Sequence, residues 1–256
     1  MSNNIIKSDC LFNENVLIFN GSDTDIGYIA RTNTLGKEFD MVNQYIHFLI
    51  NKYSKLKSKK AAIFIEPQIE TGYPDIVVVE FYSLPNKQWN PKRQSLNSTD
   101  FKILYFVQAK KNSSVIQIAD TLGFSQEITH RAVIKLNSCG LVHLSKSGKY
   151  VRNVRLQAYC RICKIISIEA KIDKWNEAIR QANNNVWFST ESYVLMNKDT
   201  CSSAIQENCK INGIGIILIN GKIKTVLPSA QRKFPVSYAS LQFNEWIFRF
   251  INKEAK

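Results

Sequence analysis

The chain has 256 residues, of which 45% are hydrophobic, enough for a real core, so global disorder is excluded. With 34 Lys and Arg against 21 Asp and Glu, the net charge of +13 favours a polyanionic partner, nucleic acid before an anionic membrane surface. The longest apolar runs, such as "IGIILI" at 214–219, are strand-sized and fall far short of the roughly 20 residues of a membrane span, so no membrane partner is expected.

Residues 1–34 are mixed and Asn-rich, with "NGSDTD" as a turn cluster, and no element is assigned to them. Asp9 and Glu14 stand where a secretory segment needs an apolar stretch, so a cytoplasmic location is expected. From Leu35 the pattern turns helical, with Phe39, Val42, Ile46 and Leu49 on one face. Lys52, Lys55, Lys57, Lys59 and Lys60 close that helix and read as a solvated end before they read as a track for a DNA backbone. "AAIFIEPQIE" reads as a strand in which Pro67 implies a bulge or an edge position. "TGY" turns, and the valine-rich "DIVVVEFY" is a second strand.

Pro85, Pro91 and several Asn residues mark 83–98 as a linker. Three helices follow: 98–111, with Ser98 or Thr99 as cap; 113–123, stopped by Gly123; and 125–140, capped by Ser125. "LVHLSKSGKYVRNVRL" predicts two short strands about a "KSGK" turn. From Arg161 the α/β texture returns: strand 163–172, helix 173–184 with Trp175, Ala178, Ile179 and Ala182 on one face, strand 191–197, helix 202–210, two strands at 213–219 and 222–227, and a closing helix at 238–253. Of the six cysteines, Cys160 and Cys163 alone have a metal-like spacing; without a second close pair or histidines nearby they read as reduced, packed thiols.

Residues 98–154 resemble a winged helix-turn-helix module, on the strength of "IADTLGFSQEITHRAVIKLNSCGLV". Ile118, Ala119, Leu122, Val133, Leu136 and Leu141 would form its small core. The resemblance implies a third helix that offers Gln126, Thr129 or His130, Arg131 and Lys135 to DNA, with Lys146 and Lys149 on phosphates at the wing. Glu127 suits the helix dipole but would repel phosphates.

In "ISIEAKI", Glu169 and Lys171 are two apart on a strand and share a face, while Ile168, Ala170 and Ile172 point the other way. A carboxylate beside a lysine can hold a divalent metal and stabilise charge on a phosphate, but a hard cation needs a second carboxylate. Asp75, at the start of an apolar strand, is the natural donor. This set, "YPDIVVVEF" with "IEAK", resembles the PD-(D/E)xK nuclease superfamily over 36–82 and 160–220. The resemblance implies a restriction-endonuclease-like α/β fold: a mixed central sheet flanked by helices, with Mg²⁺ or Mn²⁺ on Asp75 and Glu169, and Lys171 assisting water attack on a phosphodiester. It also brings in Glu38 on the first core helix as a further metal ligand and Gln181 on the helix after the lysine. One departure is plain: Glu169 lies 94 positions after Asp75 (169 minus 75), where members of the superfamily have a short hairpin. An inserted winged helix fills the gap, which gives an α/β core of 35–83 and 155–256 around an insertion of 84–154.

The expected function is a metal-dependent DNA endonuclease acting on double-stranded DNA, as a homodimer or with a partner subunit, in a restriction or mobile-element defence setting. The rival is a non-catalytic DNA-binding protein that keeps the nuclease-like sheet as a scaffold or dimerisation domain. A third reading is an RNA-directed nuclease, or a subunit that cuts only beside a partner.

Overall fold

The structure is a computed structural model that describes residues 15–32, 35–56, 58–83 and 89–254. In chain order the elements are β1 (Val16–Asn20), α1 (Lys37–Tyr53), β2 (Lys60–Ile65), β3 (Ile76–Phe81), α2 (Ser98–Lys110), β4 (Asn112–Ser114), α3 (Val115–Leu122), α4 (Gln126–Ser138), β5 (Val142–Leu144), β6 (Tyr150–Asn153), β7 (Ile162–Lys171), α5 (Trp175–Asn184), β8 (Glu191–Met196), α6 (Ser203–Ile211), β9 (Gly215–Asn220), β10 (Lys222–Leu227) and α7 (Ala239–Glu254). They fall into two compact units, one from 1–82 with 162–236 and one from 83–161 with 237–256.

The first unit is α/β: a mixed seven-stranded sheet of order β1-β2-β3-β7-β8-β9-β10, flanked by helices. The β1–β2, β7–β8 and β8–β9 pairs are parallel, and β2–β3, β3–β7 and β9–β10 are antiparallel. On one face α1 lays Met41, Val42, Tyr45, Ile46 and Leu49 over Ile63, Ile76, Val78, Ile168 and Ala170. On the other, α5 and α6 cover Val194, Met196, Ile216 and Leu218 with Ala178, Ile179, Ala182 and Ile205. The two faces explain why β3 and β9 read as continuous apolar runs rather than alternating ones: both sides of each strand are buried.

Two expectations need correcting here. The stretch 1–34, left without elements, contributes β1 within its described part, as the edge strand beside β2. Pro67 does not make β2 an edge or bulged strand; β2 lies between β1 and β3 and ends at Ile65, so the missing N–H of Pro67 falls outside the ladder. Lys57 and residues 84–88, with Pro85, lie outside the described residues.

The second unit holds α2, α3 and α4 with a three-stranded sheet of order β4-β6-β5. Capping explains its boundaries. Asn97, not Ser98 or Thr99, caps α2 and forms a reciprocal box with Asp100. Ser114 caps α3 through Gln117, and Ser125 caps α4 through the Ile128 N–H. Gly123 ends α3 at φ +69°, a left-handed position that a side chain would strain. Ile118, Ala119, Val133, Leu136 and Leu141 are buried as expected, and Leu122 is only partly buried.

Two segments differ from the linker-and-core expectation. Within the linker, Pro91–Ser95 forms a 3₁₀ turn that buries Arg93. The closing helix α7, read as part of the core through 256, belongs to this second unit. The cause is a buried ion pair: the Arg93 guanidinium meets the Glu245 carboxylate and donates to the Tyr159 carbonyl at 3.0 Å. The described cysteines are all free; Cys160 is buried in the second unit, and Cys163 in the first donates to the Glu80 carbonyl at 3.5 Å.

Candidate active site

Register brings the two quoted segments together. In the antiparallel β3–β7 pair Ile76 faces Ile168, so Asp75, one residue before β3, stands beside Glu169. The contact is direct: Asp75 Oδ2 accepts the Ala170 N–H at 2.7 Å. Glu169 is 3% exposed, and its Oε1 accepts from Asn185 Nδ2 at 2.6 Å. Asn185 closes α5 and is itself held by Ser189, whose hydroxyl donates to its carbonyl at 2.9 Å. Lys171 ends β7 with Nζ 3.3 Å from Glu38 Oε2, on the first turn of α1. The Ile172 N–H donates to the other oxygen of Glu38 at 3.5 Å.

The neighbouring strand adds a third acid to the row. Ile65 of β2 pairs with Ile76, which sets Glu66 next to Asp75, and the Glu66 N–H donates to the Asp75 carbonyl at 3.1 Å. Glu66 has φ +46°, unusual for a residue with a Cβ. Its carboxylate pairs with Arg31 Nε, and the Arg31 guanidinium sits 5.6 Å from the centroid of the Tyr73 ring. Arg31, Glu38, Phe39, Glu66, Asp75 and Lys171 line one pocket.

Burial is the largest influence on Glu169, and the neighbouring Asp75 adds to it, so its pKa is pushed up to about 8. The Asn185 amide and the Lys171 ammonium pull the other way but do not offset this. Asp75 is also raised, first by burial and then by Glu66 and Glu38, against the Ala170 N–H and Lys171. Two buried carboxyls in contact cannot both ionise cheaply, so the pair retains a proton at neutral pH. Burial would lower Lys171, but Asp75, Glu38 and Glu169 together outweigh it and its pKa is raised, which keeps the ammonium charged.

Four carboxyl groups thus face two cations in this one place, although the chain as a whole is basic. A divalent cation fits that balance. Mg²⁺ needs only one or two carboxylates, the rest of its shell being water and substrate phosphate. Among the described residues no group of three or more His, Cys, Asp or Glu is placed to hold a metal ion, so an ion here would rest on Asp75 and Glu169 with solvent.

Of the sequence-predicted site residues, Asp75, Glu169, Lys171 and Glu38 are brought together. Gln181 is not shown to reach them: its Oε1 is buried without a partner, and the side chain that touches Glu169 comes from Asn185, one turn later on the same face of α5. Sequence reasoning missed Arg31, Glu66 and Asn185. Glu66 had a signal, an acid at the end of a strand whose partner strand begins with Asp75. Asn185 lay at i+4 from Gln181. Arg31 sat in the stretch without assigned elements.

On the second unit, Gln126, His130 and Arg131 of α4 and Lys146 and Lys149 of the β5–β6 turn are exposed. Thr129 is corrected: it is fully buried, its hydroxyl donating to the Ser125 carbonyl at 3.0 Å, because it continues the inward stripe of Val133 and Leu136. Lys135 is only partly available, since its ammonium lies 2.7 Å from Asp100 Oδ2. Arg131 and Glu127 pair at 3.4 Å on the exposed face, so the acid that opposes phosphate is partly neutralised by its own neighbour. Among the described residues no helix is long and apolar enough to cross a membrane.

No protein-family model, curated protein or solved structure matches this chain.

Proposed function

We propose that the chain is a metal-dependent DNA endonuclease with a restriction-endonuclease-like core and an inserted winged helix. The observation that carries this reading is the convergence of Asp75, Glu169 and Lys171 at one end of adjacent strands, despite the 80 residues (82–161) that separate those strands in sequence. Asp75 and Glu169 would hold Mg²⁺ or Mn²⁺; when bound, such an ion polarises a phosphate oxygen and acidifies a water. Lys171, kept charged by its carboxylate neighbours, would orient the attacking water or neutralise charge on the phosphorane-like transition state. Glu38 holds Lys171 in place. The Asn185 amide fixes the rotamer of Glu169, as an outer partner does for a metal-ligating group. Double-stranded DNA would be gripped through Gln126, His130, Arg131, Lys146 and Lys149. One such centre cuts one strand, so a duplex break needs two copies, a partner subunit or two successive nicks.

The test is cleavage of supercoiled and linear DNA by wild type, Asp75→Ala and Lys171→Ala, with Mg²⁺, Mn²⁺ or chelator. Wild type should nick or cut only with metal. Each variant should lose on the order of 10²-fold or more in rate while keeping DNA affinity. If wild type binds DNA but cuts with neither metal, the sheet is a scaffold and the enzyme reading falls. Equal cutting by all three proteins would remove the activity from this site.

A further inference from the structure

Beyond the carboxylate and lysine set, we propose that Arg31 is a phosphate-gripping residue of the same pocket, taking a non-bridging oxygen of the DNA backbone at the reacting centre; this rests on the nuclease reading. Arg31 and Lys171 are the two cationic side chains lining the pocket, and Lys171 is engaged with Glu38. An arriving phosphate therefore meets an acid-rich wall in which Arg31 is the other positive group. The Arg31 side chain is 53% exposed, so substrate can reach it.

Its placement is not that of a loose surface arginine. The Arg31 N–H donates to the Glu66 carbonyl at 3.0 Å, the Gln68 N–H donates to the Ile29 carbonyl at 2.8 Å, and Ala30 bridges Pro67. These bonds stitch residues 29–31 to the chain that leads from β2 toward Asp75. Glu66 then aims the side chain by pairing with Nε, and Tyr73 supports the plane of the guanidinium. Pairing through Nε leaves the two terminal amino groups, whose fork matches two phosphate oxygens better than an ammonium does. An ion pair whose arginine is half exposed is screened by solvent and contributes modestly to stability, so stability alone does not account for this arrangement.

The experiment compares wild type, Arg31→Ala, Arg31→Lys and Glu66→Ala. Binding to a short labelled duplex is measured against salt in Ca²⁺, and cleavage is measured in Mg²⁺. For Arg31→Ala the slope of log affinity on log salt should become shallower by about 0.9, the value for one phosphate. Its turnover should fall on the order of 10²-fold with an unchanged melting temperature. Arg31→Lys should restore the slope and only part of the turnover. Glu66→Ala should keep the wild-type slope. If wild type cleaves and Arg31→Ala leaves the slope unchanged, Arg31 is a structural partner of Glu66 and the proposal is overturned while the nuclease reading stands. If wild type does not cleave but the slope still falls, the phosphate grip stands and the nuclease reading fails. If wild type does not cleave and Arg31→Ala leaves the slope unchanged, both readings fall.

Discussion

At Glu169 burial and a neighbouring carboxyl act in the same direction, and the consequence for stability has a definite sign. Its folded pKa, about 8, lies above the ordinary 4.5, so the unfolded chain releases this proton first. Without metal, stability should therefore fall as pH rises from about 4.5 toward about 8 and level off above it, with raised Asp75 adding to the same trend. Urea unfolding in chelator at about pH 6 and about pH 8.5 should show a loss on the order of 1–3 kcal/mol for wild type and a much smaller one for Glu169→Gln. On the proposed reading a divalent ion would take the place of the shared proton, so Mg²⁺ affinity should tighten across that window. Matching pH profiles for the two proteins would show that Glu169 is not the group responsible. Asp75, Glu169 and Lys171 were legible because they stand at the ends of apolar strands, where a charge needs a reason; Glu38 came only with the resemblance. Asn185 and Arg31 were not, because what matters about them is a partner far away in sequence: Glu169 16 positions off and Glu66 35 positions off.

Elements were easier to read than their company. The period of 3.6 marked α1, α3, α4 and α5, and valine runs marked β3, because each buries a face within one unit. Where the expectation slipped, a single partner decided the outcome. Thr129 was offered to DNA on the winged-helix resemblance, but its spacing from Val133 and Leu136 puts it inward. The linker was read from its Pro and Asn content, which describes Asn90 and Pro91 well: Asn90 caps the 3₁₀ turn through the Lys92 N–H. It could not announce that Arg93 is 2% exposed, stacked 4.4 Å over Trp89 and paired with Glu245 of α7. Arg249 of α7 adds bonds to the carbonyls of Arg93 and Leu96 at 2.9 and 2.7 Å. Removing one partner of such a buried pair strands the other charge, so Glu245→Ala should cost about 3–5 kcal/mol in urea unfolding. Replacing both Arg93 and Glu245 by Met should recover part of that loss: neither member of the pair is left stranded, but buried Arg249 loses the neighbouring carboxylate. A single-variant loss under about 1 kcal/mol would show that α7 is not anchored by this pair.

For the whole molecule, the sign of the charge and the sign of the pocket are opposite, and each limits what the other can do. The chain is +13, yet Glu38, Glu66 and Asp75 line the pocket with Arg31 and Lys171, and buried Glu169 stands beside Asp75. On the proposed reading, affinity for DNA would therefore come mainly from outside the pocket, and the exposed Lys146 and Lys149 of the second unit would supply part of it. The division of labour is testable because the two contributions respond to different variables. Neutralising Lys146 and Lys149 together to Ala should weaken binding by a similar factor on every DNA sequence, and should make the salt slope shallower by about 1.8, the value for two phosphates. The single-turnover cleavage rate at saturating DNA should stay within about twofold of wild type, because neither lysine contributes to the pocket that holds the carboxylates. Asp75→Ala should do the reverse, keeping the slope and losing the rate. If the Lys146 and Lys149 double variant keeps its slope, the β5–β6 turn does not touch DNA, and the grip must be sought on α4 alone.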